Sequence, residues 1–319
     1  MYRIGIDLGG TNIAVGLVSA DMRIIDKVSV PTLAFRAPEL IVDDMAAACR
    51  RLVDGKGLSV SNVEAIGVAS PGIADHDRGV VEYANNLPFR HFRLAELLRE
   101  RFPVGRINVE NDANAAAWGE AVAGAAKGTR NSVMITLGTG VGGGIIIDGK
   151  ICSGFNFAGG ELGHIVIREG GRPCSCGRRG CWEAYSSATA LIAMTGEKLD
   201  ACRAAGRKTM IADLFEKKGK ISARTAFEAM KAGDAAGREV VDEYVRYLAC
   251  GITNIVNIFQ PEVISIGGGI SGEKENLLRP LIPIVSKEQY GGGIVKSTEI
   301  RIAELGNDAG IIGAATLGI

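Results

Sequence analysis

Residues 4–18, IGIDLGGTNIAVGLV, and residues 133–147, VMITLGTGVGGGIII, carry one pattern twice. In each, an apolar strand runs into a turn of glycine and threonine and returns as a second apolar strand. The recurrence reads as an internal duplication. It predicts two related α/β halves with a cleft between them for a ligand.

Outward from the first copy, RIIDKVSV continues as a third strand, and Pro38 to Val53 has apolar residues at helical spacing. EAIGVAS reads as a buried strand ending in the turn Pro71-Gly72, and RINVE as a further short strand. NAAAWGEAVAG follows as a helix closed by Gly124. After the second copy and a loop-rich stretch from Ser153 to Tyr185, helical periodicity returns at Ile211–Phe215, Ala223–Lys231 and Ala235–Phe259. PEVISIGGGIS reads as strand, glycine turn and helix start, EIRIAEL as a late strand, and DAGIIGAATLG as a final helix with Asp308 at its N-cap. No linker interrupts the chain, so the hinge is expected at a tight strand–helix crossing near Glu110.

Three of these turns are rich in glycine. The first is Asp7-Leu8-Gly9-Gly10-Thr11-Asn12, the second runs from Thr136 through Gly138, Thr139 and Gly140 to Gly144, and the third is Gly267-Gly268-Gly269. Glycines let backbone N–H groups approach an anion, and Thr11 and Asn12 add side-chain donors. No Walker lysine is present, so none is a P-loop. Asp7, at a strand end, is placed to hold Mg²⁺ through water. The third turn, at a strand-to-helix junction, is expected to present free N–H groups at the positive end of a helix dipole. Together the three suggest a nucleotide polyphosphate held between two domains.

The chain has 319 residues, 47% of them hydrophobic, and its formal net charge is +0. That balance gives no basic footprint for nucleic acid and no attraction to an anionic membrane. No apolar run is long enough to span a bilayer, and the first strand begins at Tyr2, so a cytoplasmic protein is expected. Of seven cysteines, Cys49, Cys152, Cys202 and Cys250 are scattered, which suits a reducing compartment.

The other three cluster in ELGHIVIREGGRPCSCGRRGCWEAYSS. His164, Cys174, Cys176 and Cys181 supply one imidazole and three thiolates, the donor set of a closed, structural Zn²⁺ site. Redox pairs favour Cys-x-x-Cys, which is absent. A zinc-dependent hydrolase would need an open coordination position, and this set leaves none. The metal would fix a loop carrying Glu161 and Glu183, with the second nitrogen of His164 left to donate a hydrogen bond. Two carboxylates and an imidazole N–H suit a polyol.

One stretch remains: ENDANAAAWGE, residues 110–120, where a strand gives way to a helix. Asp112 there reads either as a helix cap, or as a partner of Arg106, or as a catalytic base beside polar ligands.

DLGGTN, ENDANAAAWGE, GGELGH and CSCGRRGCWEAYSS resemble, in order and over the whole chain, the sugar kinases of the ROK family (repressor, open reading frame, kinase) of the actin and hexokinase-like superfamily. The resemblance implies a two-domain α/β fold related to ribonuclease H. A small domain of residues 1–111 plus 304–319 would face a large domain of residues 112–303 that carries the zinc loop and dimerisation helices. It implies ATP with Mg²⁺, a structural Zn²⁺, a hexose substrate and a homodimer or homotetramer. Asp112 matches the catalytic base. Asn111, Glu161, His164 and Glu183 match sugar ligands, Ser70, Pro71 and Gly72 a sugar-side turn, and Asn85 and Asn86 further polar contacts. The turn reads ASPG where the family usually has GAPG. Among members, ENDANAAAWGE is most similar to glucokinases, which implies transfer to O6 of glucose. Kinases for N-acetylmannosamine, N-acetylglucosamine, allose or fructose are the alternatives. ROK repressors carry an N-terminal helix-turn-helix, for which a first strand at Tyr2 leaves no room; the kinase is the expectation.

Overall fold

The computed structural model describes residues 1–319. The chain opens with strands β1 (Tyr2–Leu8), β2 (Asn12–Val18) and β3 (Ile24–Pro31), then helix α1 (Pro38–Gly55) and β4 (Val63–Ser70). Three short strands follow, β5 (Ile73–Asp75), β6 (Val80–Tyr83) and β7 (Arg90–Phe92), then α2 (Leu94–Arg101), β8 (Ile107–Asn111) and α3 (Asp112–Ala123). The second copy of the repeat forms β9 (Ser132–Leu137), β10 (Val141–Ile147) and β11 (Lys150–Ile151). Next come α4 (Glu183–Ser186), α5 (Ala188–Ala204), α6 (Met210–Lys218), α7 (Thr225–Lys231), α8 (Ala235–Phe259), β12 (Val263–Gly267), α9 (Glu275–Glu288), β13 (Glu299–Ile302) and α10 (Ala309–Ala315).

The two copies build sheets of the same connectivity. The first has the order β3-β2-β1-β4-β8 and the second β11-β10-β9-β12-β13. In both, the hairpin strands lie to one side of the leading strand and two later strands to the other, as a duplication requires. β5, β6 and β7 make a small antiparallel sheet of their own.

By contact the chain divides into two compact units, Met1–Met134 with Gly144–Gly160 and Ala303–Ile319, and Ile135–Gly143 with Glu161–Ile302. The boundary expected at residues 111/112, and the hinge near Glu110, fall inside the first unit. The reason is close packing by small residues. A Cβ on Gly313 of α10 would lie 1.7 Å from the Ala115 carbonyl oxygen of α3, and one on Gly67 of β4 would lie 1.7 Å from the Ala314 carbonyl oxygen. α10 is therefore pressed against both α3 and the first sheet.

In the first unit the core is formed by Ile4, Ile6 and Leu8 of β1, Ile13, Val15 and Leu17 of β2, and Ile66 and Val68 of β4, all fully buried. α1 starts with Pro38 in its first turn and buries Ile41, Val42, Met45, Cys49, Leu52 and Val53 along one stripe. In the second unit, α8 is capped by Asp234, whose side chain accepts from Gly237 N, and ends at Gln260 in the left-handed region. α8 buries Val240, Val241, Tyr244, Val245 and Leu248. No helix is long and apolar enough to cross a membrane.

Two expected details differ. Asp308 precedes α10 but caps nothing with its side chain; it sits in helical conformation and binds Lys27 Nζ at 2.7 Å. Gly142, Gly143 and Gly144 belong to β10 and not to a loop. A Cβ on Gly144 would meet Ala117 Cβ at 2.5 Å and Ala113 O at 2.6 Å, so glycine there lets the first turns of α3 lie on the strand.

Candidate active site

In the first sheet β1, β4 and β8 run parallel, with Asp7 opposite Ala69 and Ser70 opposite Asn111. Their carboxyl ends thus bring Asp7-Leu8-Gly9-Gly10, Ser70-Pro71-Gly72 and Asn111-Asp112 to one edge of the sheet. The carboxyl edge of parallel strands is where open α/β folds bind ligands. Gly72, at φ +91°, is packed so that a Cβ would lie 2.0 Å from Tyr83 O, and its own carbonyl accepts from Asn111 Nδ2 at 2.9 Å. Asn86 is the neighbour of Gly10: a Cβ there would meet its Nδ2 at 2.9 Å. Asn85 instead binds the Tyr83 hydroxyl. Thr32 ties down the first glycine turn, donating to Gly9 O at 2.6 Å, and Gly9 N donates to Asn12 O at 2.9 Å.

The cap of α3 falls to Asn111. Its Oδ1 accepts from Ala113 N at 2.9 Å and Asn114 N at 3.1 Å. Nδ2 is on Gly72 O, and the Asn111 side chain also bonds the Asp112 carboxylate. Arg106 binds Glu64 and the Gly318 carbonyl. Both structural uses of Asp112 are therefore taken by other residues or absent. Its carboxylate accepts from near neighbours, among them Ala113 N at 2.8 Å. Burial raises the Asp112 pKa, with the Ala113 N–H, its own N–H and the Asn111 side chain opposing. Burial and then the charge of Asp112 lift Asp7 from its ordinary 3.8 to about 6. A buried acid at a strand edge, raised further by the charge of a second acid and with no donor offsetting it, suits a divalent cation.

In the second unit, His164 Nδ1, Cys174, Cys176 and Cys181 place their ligand atoms within 4.8 Å of one another. The Cys176–Cys181 sulfurs are 3.6 Å apart, and His164 Nδ1 is 3.6 Å from Cys174 Sγ. Zn–S bonds of about 2.3 Å put tetrahedral sulfurs about 3.8 Å apart, so the residues fit a metal ion. The loop is held from outside as well. Arg178 Nη1 donates to His164 O at 3.1 Å, and Trp182 is fully buried with Nε1 on Tyr247 O at 3.0 Å. A Cβ on Gly251 of α8 would lie 2.0 Å from the indole.

Glu183 is drawn to the second glycine turn: Oε2 accepts from Val141 N at 3.0 Å, and Oε1 from Ser175 Oγ at 3.3 Å. Glu161 is exposed at the start of the turn Leu162–His164. The Gly138–Gly140 turn is tied to the start of α5, with Ala188 N on Gly138 O and Thr189 Oγ1 on Thr139 O, both at 2.8 Å. Thr136 stands in β9 before it. Thr139, Gly140, Arg172, Ser175, Glu183 and Thr189 are among the walls of a cavity of about 610 Å³. Gly268, at φ +82°, packs on the Leu137 main chain, so the second and third glycine turns are neighbours. Gly269 opens a 3₁₀ turn, not an α-helix; α9 starts only at Glu275. The third turn therefore lacks the helix-dipole end expected of it.

Two residues of interest had no site role in the sequence reading, Glu110, which it took only as a hinge, and His76. Glu110 is 3% exposed, and its Oε2 is 3.0 Å from His76 Nδ1. Thirty-four positions separate them, and no local spacing pairs them.

The ROK family profile matches residues 3–319. The glucokinase of Halalkalibacterium halodurans is 39% identical over 99% of this chain and 94% of its own length. The xylose repressor of Bacillus spizizenii is 30% identical over 99% of this chain and 76% of its own length. Among solved structures, a ROK family glucokinase from Streptomyces griseus in complex with glucose and AMPPNP superposes with a TM-score of 0.79 at 35% identity, covering 99% of each chain. The architecture is thus the actin and hexokinase-like fold of the ROK sugar kinases.

Proposed function

The chain belongs to the ROK family, and from that premise we propose that it is an ATP-dependent hexose kinase transferring the γ-phosphoryl group to O6 of glucose. The observation that carries the proposal is Asp112. It is a carboxylate at the carboxyl edge of the parallel strands, its proton affinity raised, and its capping duty performed by Asn111. Relatives named glucokinase at 39% and 36% identity support the sugar and the reaction, and AMPPNP in the Streptomyces structure, an ATP analogue, supports the donor.

In the reaction Asp112 accepts the O6 proton as the new O–P bond forms and ADP departs. The transition state is loose, so positioning and charge compensation dominate. General-base help contributes about 10²–10⁴-fold. Asn111, Glu161, His164 and Glu183 orient sugar hydroxyls, with Ser70, Pro71, Gly72, Asn85 and Asn86 shaping the sugar side. The amides of Gly10 and Gly140, in turns closed by the Gly9 and Gly138 N–H groups, hold phosphates with Thr11, Asn12, Thr136 and Thr139; Gly267, Gly268 and Gly269 lie against the nucleotide. Asp7 would hold Mg²⁺, which would supply charge neutralisation at the phosphates. His164, Cys174, Cys176 and Cys181 would hold Zn²⁺, which would fix the loop bearing Glu161 and Glu183. The protein works in the cytoplasm as a homodimer or homotetramer, binding no nucleic acid.

A panel of hexoses and amino sugars assayed with ATP–Mg²⁺ tests the proposal. Glucose is expected to give the highest kcat/KM. Preference for N-acetylmannosamine or another sugar would redirect the substrate, and no turnover on any would favour the regulatory branch to which the xylose repressor belongs.

A further inference from the structure

Glu110, on β8 of the first unit, is a carboxylate with 3% exposure. Burying a charge is costly, and an apolar side chain at such a site is often as stable or more so. Stability alone does not account for it. Its hydrogen bonds do. Oε1 accepts from the Asn111 main-chain N–H at 2.8 Å and from Asn114 Nδ2 at 3.1 Å, and Oε2 faces His76 Nδ1 at 3.0 Å. Two of these three contacts lie on residues that flank Asp112. The cap of α3 needs none of them, because Asn111 performs it.

His76 follows β5 and is itself held in place. Phe157 meets its ring edge-on at 4.8 Å, and Asp77 stands 3.7 Å from Nε2. The other side of the imidazole is open. His76 lines a cavity of about 370 Å³ together with Trp118, Lys150 and the Leu317–Ile319 segment. Truncating it would enlarge that cavity and leave the core intact.

We propose that Glu110 and His76 form a positioning pair behind the catalytic turn: His76 orients the Glu110 carboxylate, Glu110 fixes the Asn111 main chain, and the Asp112 carboxylate is thereby aimed. The pair touches no substrate. The inference rests on the reading of Asp112 as base, and it implies that His76 affects the chemical step and not sugar affinity.

The experiment compares wild type, His76→Ala, His76→Asn, Glu110→Gln and Glu110→Ala. Steady-state kinetics with glucose and ATP–Mg²⁺ are measured beside amide hydrogen exchange at Asn111. Asn is the conservative replacement, since its amide nitrogen lies near the place of Nδ1. His76→Ala is expected to lower kcat about tenfold, the worth of one charge-assisted hydrogen bond, with the glucose KM within about twofold. Its Asn111 amide exchanges about tenfold faster. His76→Asn restores most of both. Glu110→Ala is expected to fall about 10²-fold in kcat, since it leaves Asn111 N, Asn114 Nδ2 and His76 Nδ1 without their partner, and Glu110→Gln falls between.

Wild-type kcat and unchanged Asn111 exchange in His76→Ala overturn the pair. So does a loss in which kcat, KM and thermal stability decline together and Asn rescues none of them. If Glu110→Ala does not fold, the two His76 variants still decide. Should the wild type phosphorylate no sugar, the kinase reading fails, and Asn111 exchange, which needs no turnover, still tests the pair.

Discussion

At the residue scale, Asp112 and Asp7 share one strand edge, and burial acts on both. For Asp7 the folded pKa, about 6, lies above the ordinary 3.8. The folded chain therefore binds more protons than the unfolded one between about pH 4 and pH 6, and stability declines as pH rises through that window. Asp7→Asn removes the burden. Urea denaturation is expected to show the variant gaining on wild type from pH 4 to pH 6, by about 1–3 kcal/mol at the plateau. Mg²⁺ at pH 7.5 is expected to stabilise wild type and not the variant. A stability difference independent of pH would contradict the burial of Asp7. Asp112 stood out in the sequence because a carboxylate after Asn at a strand–helix crossing is unusual enough to question. Glu110, two positions earlier, did not, because its partner His76 comes from a different strand end and a buried acid leaves no pattern.

Elements were legible where their period was strong. α8 emerges over the residues its apolar stripe marks, and β1, β2, β4 and β8 follow their apolar runs. α9 was hidden because Pro280 and Pro283, which punctuate chains elsewhere, sit inside it. α5 was obscured by Thr195 and Gly196 in mid-helix, and β5 and β7 have only three residues each. Close approach by glycine misled too, since Gly143 and Gly144 read as loop yet serve a strand. Within the first unit α3 depends on Glu120, fully buried, whose carboxylate accepts from Ala125 N at 2.7 Å, Glu304 N at 3.1 Å and Leu305 N at 2.8 Å. Glu120→Ala strands three main-chain donors and is expected to cost about 3 kcal/mol or more, measured by denaturant unfolding; a loss below about 1 kcal/mol would show that water replaces the carboxylate. In the second unit the loop of His164, Cys174, Cys176 and Cys181 is tied to α8 through Trp182. Metal analysis of the purified protein is expected to give about one zinc per chain. Removal by a chelator should loosen the loop, seen as faster amide exchange over residues 161–183 with α8 largely protected. A metal-free chain with an unchanged loop and full activity would overturn the site.

At the scale of the whole molecule, the two sheets repeat one strand order, and each copy ends its leading strand in a glycine turn. The residues proposed for the chemistry are distributed over both units. The first unit holds Asp7, the Gly9-Gly10 turn, Asn111 and Asp112; the second holds the Gly138–Gly140 and Gly267–Gly269 turns, Glu161, Glu183 and the thiol cluster. Phosphoryl transfer with Asp112 as base is the central claim. Its most direct test is the Asp112→Asn enzyme, assayed for glucose phosphorylation with saturating ATP–Mg²⁺ while glucose binding is followed by calorimetry. The account predicts kcat reduced by about 10²–10⁴-fold with glucose affinity nearly retained; turnover close to that of the wild type would contradict it.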